Sequence, residues 1–257
     1  MAGHDPAVSA RGVRPRGAGA ISARWPTSCR QGDLRRCALV RSRRLRAHLR
    51  GRGRHHPSRR LSVEGDFRNH SRSEYRRLLQ SFEAARRQGV GRVVFASSNH
   101  AVGFYRRTER IDTQRRVRPD GLYGMSKAYG EALGSLYADK HGLRVMSIRI
   151  GNVGEVPLDE RRLAIWIHPE DLVQLCRIGL EHQDLHCEIV YGASDNDRAW
   201  WDNHNAYALG YAPKHRSEDH VRHALDEQAK LPRDPIGDLF QGGGFCSNGF
   251  TGDLDRL

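Results

Sequence analysis

Between Arg60 and Leu61 the chain changes character, and that step limits what can fold. Residues 1–60 contain 16 arginines, no lysine and only two acids, Asp5 and Asp33, a formal charge of +14. Because the whole 257-residue chain carries +13, residues 61–257 are left at −1. A strongly basic protein would suggest nucleic acid or an anionic membrane as partner, but here the excess belongs to the segment with least to bury. That segment has no alternating strand pattern. Its one periodic stretch, "LRRCALVRSRRLRAHLR", sets Leu34, Ala38, Leu45 and Leu49 near one helical face. Trp25 is its only aromatic, so the stacking platforms of single-strand binders are missing. Residues 1–60 are therefore expected as an arginine-rich segment without a stable fold, and residues 61–257 as the folded, catalytic part. A nucleic-acid-binding protein using this basic segment is the alternative from another class, and the lack of a fold and of stacking aromatics argues against nucleic acid as a partner.

From residue 61 onward the patterns are orderly. A helix is predicted over 74–87, with Leu78, Leu79, Phe82 and Ala85 inward and Gly89 closing it. "RVVFAS" is a continuous apolar run of the kind buried on both faces of a parallel sheet. "YGMSKAYGEALGSLYADKHG" reads as a second helix with Tyr129, Leu133, Leu136 and Tyr137 inward. "LRVMSIRI" and "CEIVYG" read as strands, "HPEDLVQLCRIGL" as a helix with Pro169 in its first turn, and "SEDHVRHALDEQAK" as a terminal helix. Helix and strand in alternation spell an α/β domain with a mostly parallel sheet. The five cysteines form no CxxC pair, which suits a reducing, cytoplasmic setting rather than a disulfide framework. No apolar run is long enough for a membrane span.

Two stretches carry chemistry. "FASSNH" ends a predicted buried strand in Ser97, Ser98, Asn99 and His100, and in parallel sheets ligands bind at the carboxyl ends of strands. In "YGMSK", Tyr123 and Lys127 stand four apart at a helix start, on one face. An ammonium beside a phenol favours phenolate, which makes a general base near neutral pH. Ser98, Tyr123 and Lys127 together form a Ser-Tyr-Lys set. Other features weigh less. His182 and His186 have metal-like spacing but no convincing third ligand, so they read as a helix-end pair and no metal site is expected. Trp200 and Trp201 read as core. "FQGGGFCSNGFTGDL" is Gly-rich, yet no strand leads into it, so it makes a poor phosphate loop.

With those residues in view, the chain resembles the extended short-chain dehydrogenases, the NAD-dependent epimerase/dehydratase family. "SVEG", "FEAARRQGVGRVVFASSNHAVGFY", "RPDGLYGMSK", "RLAIW" and "RAWWDN" narrow the resemblance to uronate dehydrogenases. The resemblance implies a Rossmann-like parallel sheet, NAD as cofactor, and oxidation of C1 of galacturonate or glucuronate to an aldarolactone. It implies that Tyr123 takes the C1 hydroxyl proton, that Lys127 lowers the Tyr123 pKa and holds the nicotinamide ribose, and that Ser98 bonds the same hydroxyl. It further implies that Ser62, Asn99, His100 and Asn152 line the sugar site, and that Arg161 clamps the carboxylate as a bidentate guanidinium. Asn152 stands where close relatives have serine, and Arg162 adjoins Arg161 as a rival clamp. A sugar-nucleotide epimerase or dehydratase is the alternative on the same scaffold, and a homo-oligomer through the two helices is the family's expectation.

What the family needs and this chain lacks is a strand running into a Gly-rich turn for the pyrophosphate. Gly17 and Gly19 follow no buried strand, and Ser22 stands where a third glycine belongs. The coenzyme half of the sheet is accordingly expected to be missing or scrambled. With permitted codons, residues 54–60 read one base on as "AIIHLGG", a strand ending in two glycines. Residues 68–77 treated alike become "ETILEANIVG", an amphipathic helical segment. Two segments shifted in the same sense, each giving the expected element, lead to the expectation that residues 1 to about 60 and 68–77 are out-of-frame readings of a dehydrogenase gene.

Overall fold

The computed structural model describes the backbone of residues 37–40 and 67–257, and side chains from residue 75 onward. Four parallel strands form the central sheet in the order β1-β2-β3-β6: β1 (Cys37–Val40), β2 (Arg92–Ser98), β3 (Arg144–Ile150) and β6 (Cys187–Gly192). A second, two-stranded parallel pair, β4 (Asn152–Val153) with β5 (Trp166–Ile167), stands beyond the end of β3. Strand alternation sorts the side chains into two cores. Val93, Phe95 and Val145 face α1 (Phe67–Arg87) and α2 (Leu122–His141), packing with Leu78, Phe82, Leu133 and Tyr137. Val94, Met146, Ile148 and Val190 face the opposite way, onto Leu175 and Ile178 of α4 (Pro169–Glu181). Helices on both faces of a parallel sheet are the doubly wound arrangement expected from the element order. α2 lies close on the sheet because Gly130 has no side chain: a Cβ there would stand 2.2 Å from the Phe95 ring.

Several expectations are adjusted. α1 begins at Phe67, seven residues ahead of the predicted start at 74, so its backbone covers residues 68–77. Leu79 (43% exposed) and Leu136 (49%) face outward rather than into the core; positions 78, 82 and 85 occupy the inner stripe of α1, and 79 falls beside it. Within the arginine-rich segment, residues 37–40 form a strand where periodicity suggested a helical face. A four-residue apolar run satisfies a buried parallel strand as well as a helix, and pairing with β2 decides between them. The other residues of 1–66 lie outside the described part, Ser62 among them. The predicted terminal helix is a 3₁₀ turn at Ser217–His220 followed by a helix at Val221–Gln228. Gly89 closes α1 at φ 65°, as anticipated, and Gly142 closes α2 at φ 70°. Among the described residues no helix is long and apolar enough to cross a membrane.

Candidate active site

The site lies where β2 and β3 end. β2 finishes in Ser98, whose hydroxyl accepts from the His100 backbone N–H at 3.3 Å and caps a 3₁₀ turn over Asn99–Val102. That turn aims Asn99 and His100 into a cavity of about 750 Å³. Ser98, Asn99, His100, Tyr123, Asn152 and Arg161 all line it, so six of the eight sequence-predicted residues share one space. Lys127 stands just behind: it is buried, its Nζ donates to the Ala96 carbonyl at 3.0 Å, and it lies 5.1 Å from the centroid of the Tyr123 ring. The i, i+4 spacing therefore places ammonium and phenol side by side, as the helix repeat requires. Ser62 falls outside the described residues.

Arg161 and Arg162, equivalent in sequence, are separated by their partners. Arg162 is spent on Asp159, which pairs with its guanidinium and accepts from its backbone N–H at 2.8 Å as the cap of the short helix α3 (Glu160–Ile165). Arg161 Nε donates to the Gln241 carbonyl at 2.9 Å. The Asn99 amide satisfies both of its neighbours with its oxygen toward Arg161 Nη2 and its nitrogen toward the Ile150 carbonyl, each at 3.2 Å. The Arg161 guanidinium is pushed down to about 10, first by burial and then by repulsion from Arg107 and Arg162. A cation so disfavoured is a ready receptor for an anionic ligand group.

Sequence reasoning missed three parts of this site. The Gly-rich stretch near the end is a wall of the cavity: Gly242, Gly243, Gly244 and Phe245 line it, and Phe245 stacks on His100 at 3.9 Å. Arg107, missed as well, holds that wall by donating to the Gly237 and Phe240 carbonyls at 2.9 and 3.1 Å. Asp120, the first residue of "DGLYGMSK", meets His100 Nδ1 at 2.6 Å. No local pattern signals these contacts, because their partners are more than a hundred residues away or, for Asp120 and His100, twenty residues apart on different segments. Trp201 is core as expected, 2% exposed and stacked on Tyr191 at 4.7 Å. His182 ends α4 and His186 pairs with Asp139 at 2.9 Å. Among the described residues one trio, His168, Glu170 and His215, brings possible ligand atoms within 4.8 Å of one another. His168 caps α4 there, its ring accepting from the Glu170 N–H at 3.3 Å.

Residues 72–168 match the NAD dependent epimerase/dehydratase family. The uronate dehydrogenase of Pseudomonas putida is 48% identical over 172 residues, 67% of this chain and 64% of that protein. The uronate dehydrogenase of Pseudomonas syringae pv. tomato is 42% identical over 75% of this chain and 70% of its own length. The chain thus spans about two thirds of the length of the curated relatives it matches. Among solved structures, uronate dehydrogenase from Agrobacterium tumefaciens superposes with a TM-score of 0.68 at 40% identity, over 73% of this chain and 71% of that one. A tyrosine-to-alanine mutant of that enzyme, complexed with NAD, superposes with a TM-score of 0.69. With relatives more than 40% identical over about 70% of their length and a solved relative of the same fold, the chain belongs to the uronate dehydrogenases of the NAD dependent epimerase/dehydratase family.

Proposed function

We propose that this protein is an NAD-dependent dehydrogenase that oxidises C1 of a hexuronate, galacturonate or glucuronate, to the aldarolactone. The observation that carries the reading is the convergence of Ser98, Tyr123 and Arg161 on one cavity with Lys127 behind Tyr123. A base for a hydroxyl proton and a clamp for a carboxylate are what a sugar acid demands. The described residues fit the nicotinamide end of NAD, since the cavity opens at the carboxyl ends of parallel strands and Tyr123 and Lys127 stand on the first turns of α2 beside it. Residues for the rest of the coenzyme would precede α1, where only β1 is described. NAD, when bound, supplies the hydride acceptor. Tyr123 removes the C1 hydroxyl proton, Ser98 holds that oxygen in place, Lys127 keeps the phenol poised as phenolate, and Arg161 fixes the carboxylate and with it the face of the sugar. Asn99, His100 and Asn152 bond the remaining hydroxyls, with Ser62 completing the set. A small free sugar acid as partner and the cytoplasm as location go with this reading, as does a homo-oligomer through α1 and α2.

Thermal melting tests the substrate class separately from turnover. Galacturonate and glucuronate should raise the melting temperature where galactose, lacking the carboxylate, does not, and Arg161→Met should abolish the rise. Protection by UDP-galactose without protection by either uronate would replace this reading with the sugar-nucleotide one.

A further inference from the structure

Beside the groups assigned above lies a carboxylate with a costly address. The Asp120 side chain is fully buried, at 0% exposure. One oxygen meets His100 Nδ1 at 2.6 Å, and the other, Oδ1, has no hydrogen-bond partner. The chain closes around it with glycine. A Cβ at Gly103 would stand 1.9 Å from Asp120 Oδ2, one at Gly242 2.1 Å from the same oxygen, and one at Gly124 3.2 Å from Oδ1. Two segments, the turn after β2 and the C-terminal wall, omit a side chain where this carboxylate sits, while Gly124 at the start of α2 omits one chiefly against the His100 carbonyl, 2.1 Å from its Cβ position. A buried carboxylate with an unbonded oxygen costs stability, so a fold that shapes itself around one is using it. Its single hydrogen-bond partner is the ring of His100, which lines the cavity. That ring has few ways to turn: Phe245 stacks on it at 3.9 Å, and Tyr123 meets it edge-on at 5.7 Å.

We propose that Asp120 is a positioning residue for the sugar site. It holds the His100 imidazole with its hydrogen on Nδ1, so that Nε2 is the ring atom offered to the ligand, as acceptor for a sugar hydroxyl. A carboxylate can only accept, so in the neutral ring the nitrogen it faces carries the hydrogen and the opposite nitrogen carries the lone pair. The ligand half of this inference rests on the function proposed above; the positioning half rests on the geometry alone. The Asp120 side chain is buried, so its loss would reach the sugar through His100 rather than by direct contact.

The test is the tautomer, read in the full chain labelled with ¹⁵N-histidine by long-range proton–nitrogen correlation, with His100 assigned from the signal missing in His100→Gln. Wild type should show Nδ1–H at His100. Asp120→Asn, whose amide can donate to Nδ1, should move His100 toward Nε2–H and weaken galacturonate binding, measured by calorimetry, roughly tenfold, the loss of one hydrogen bond. An Nε2–H tautomer in wild type overturns the positioning role whatever the chain binds, and a ring protonated on both nitrogens overturns Nε2 as an acceptor. A shifted tautomer with unchanged galacturonate affinity overturns the role of Nε2. A wild-type chain that shows Nδ1–H yet binds no galacturonate refutes the functional reading and the ligand assignment with it, while upholding the positioning of His100.

Discussion

Replacing Glu131 by alanine probes the link between core and site. Arg149 lies in the central strand β3 with its side chain 2% exposed, and Glu131, 3% exposed, answers it from α2. The pair is bidentate, Nε to Oε1 and Nη2 to Oε2, both at 2.9 Å, and the Ser97 hydroxyl adds a bond to Oε1 at 2.6 Å. Burial pulls the Arg149 guanidinium down, but its bonds to Glu131 outweigh burial and leave it raised. Glu131→Ala would strand that cation, which costs about 3–5 kcal/mol when one partner of a buried pair is removed. At ~2–4 °C per kcal/mol for a fold of this size, the melting temperature should fall by roughly 6–20 °C. Urea denaturation followed by circular dichroism should show the midpoint falling with the m-value unchanged. The double variant Glu131→Leu with Arg149→Met should recover most of the loss, because the desolvation penalty leaves with the charges. A cost below about 1 kcal/mol for Glu131→Ala, or a double variant no better than the single one, would refute the reasoning. Glu131 stands one helical turn beyond Lys127 and two beyond Tyr123, so the same pair sets the register that places the base at the cavity.

Tyr123→Phe should lower turnover by about 10²–10⁴ while galacturonate still protects the chain against heat, since only the proton acceptor is lost; undiminished turnover would remove Tyr123 from its role. Gly103→Ala should be costly, about 1–3 kcal/mol, because its Cβ meets the buried Asp120 carboxylate at 1.9 Å. Gly91→Ala, which meets nothing within 4 Å and has no positive φ, should be neutral or stabilising in the same urea titration. Arg161, held near 10 in the folded chain against about 12.5 or above when unfolded, is disfavoured as a cation by folding. Its penalty is therefore present in full at neutral pH and relieved as pH rises from about 10, while uronate affinity measured by calorimetry should fall over that same range as the cation discharges. Sequencing the encoding DNA and translating all three frames should reveal "AIIHLGG" and "ETILEANIVG" in one alternative frame; the absence of both would make the arginine-rich segment a true feature of the protein.

Much of the catalytic half was legible because its signals are local. A buried parallel strand shows as the unbroken apolar run "RVVFAS", and a Tyr and Lys four apart on a helix start must share a face. Ser98 was legible for the same reason, as a polar residue at the carboxyl end of a buried strand. Leu79 and Leu136 were misread because periodicity gives a helix's apolar arc but not which edge of it meets a neighbour. Residues 37–40 were placed in a segment expected to lack a stable fold, with a helical face as its one pattern, because four apolar residues carry no period of their own.

The amino-acid order alone thus determined the α/β class, the glycine that closes α1, the Tyr123–Lys127 pair, the polar strand end at Ser98 and the family to which they point, each read from a pattern within a few residues. Only the tertiary structure decided that Arg161 rather than Arg162 faces the cavity without a carboxylate bound to it, since Asp159 claims its neighbour. It alone brought the stretch around Gly242 and Phe245 across from the C-terminal end to complete the wall, and set Asp120 behind His100. Those choices come from packing between segments distant along the chain, where burial and hydrogen bonding, not sequence spacing, select the partner.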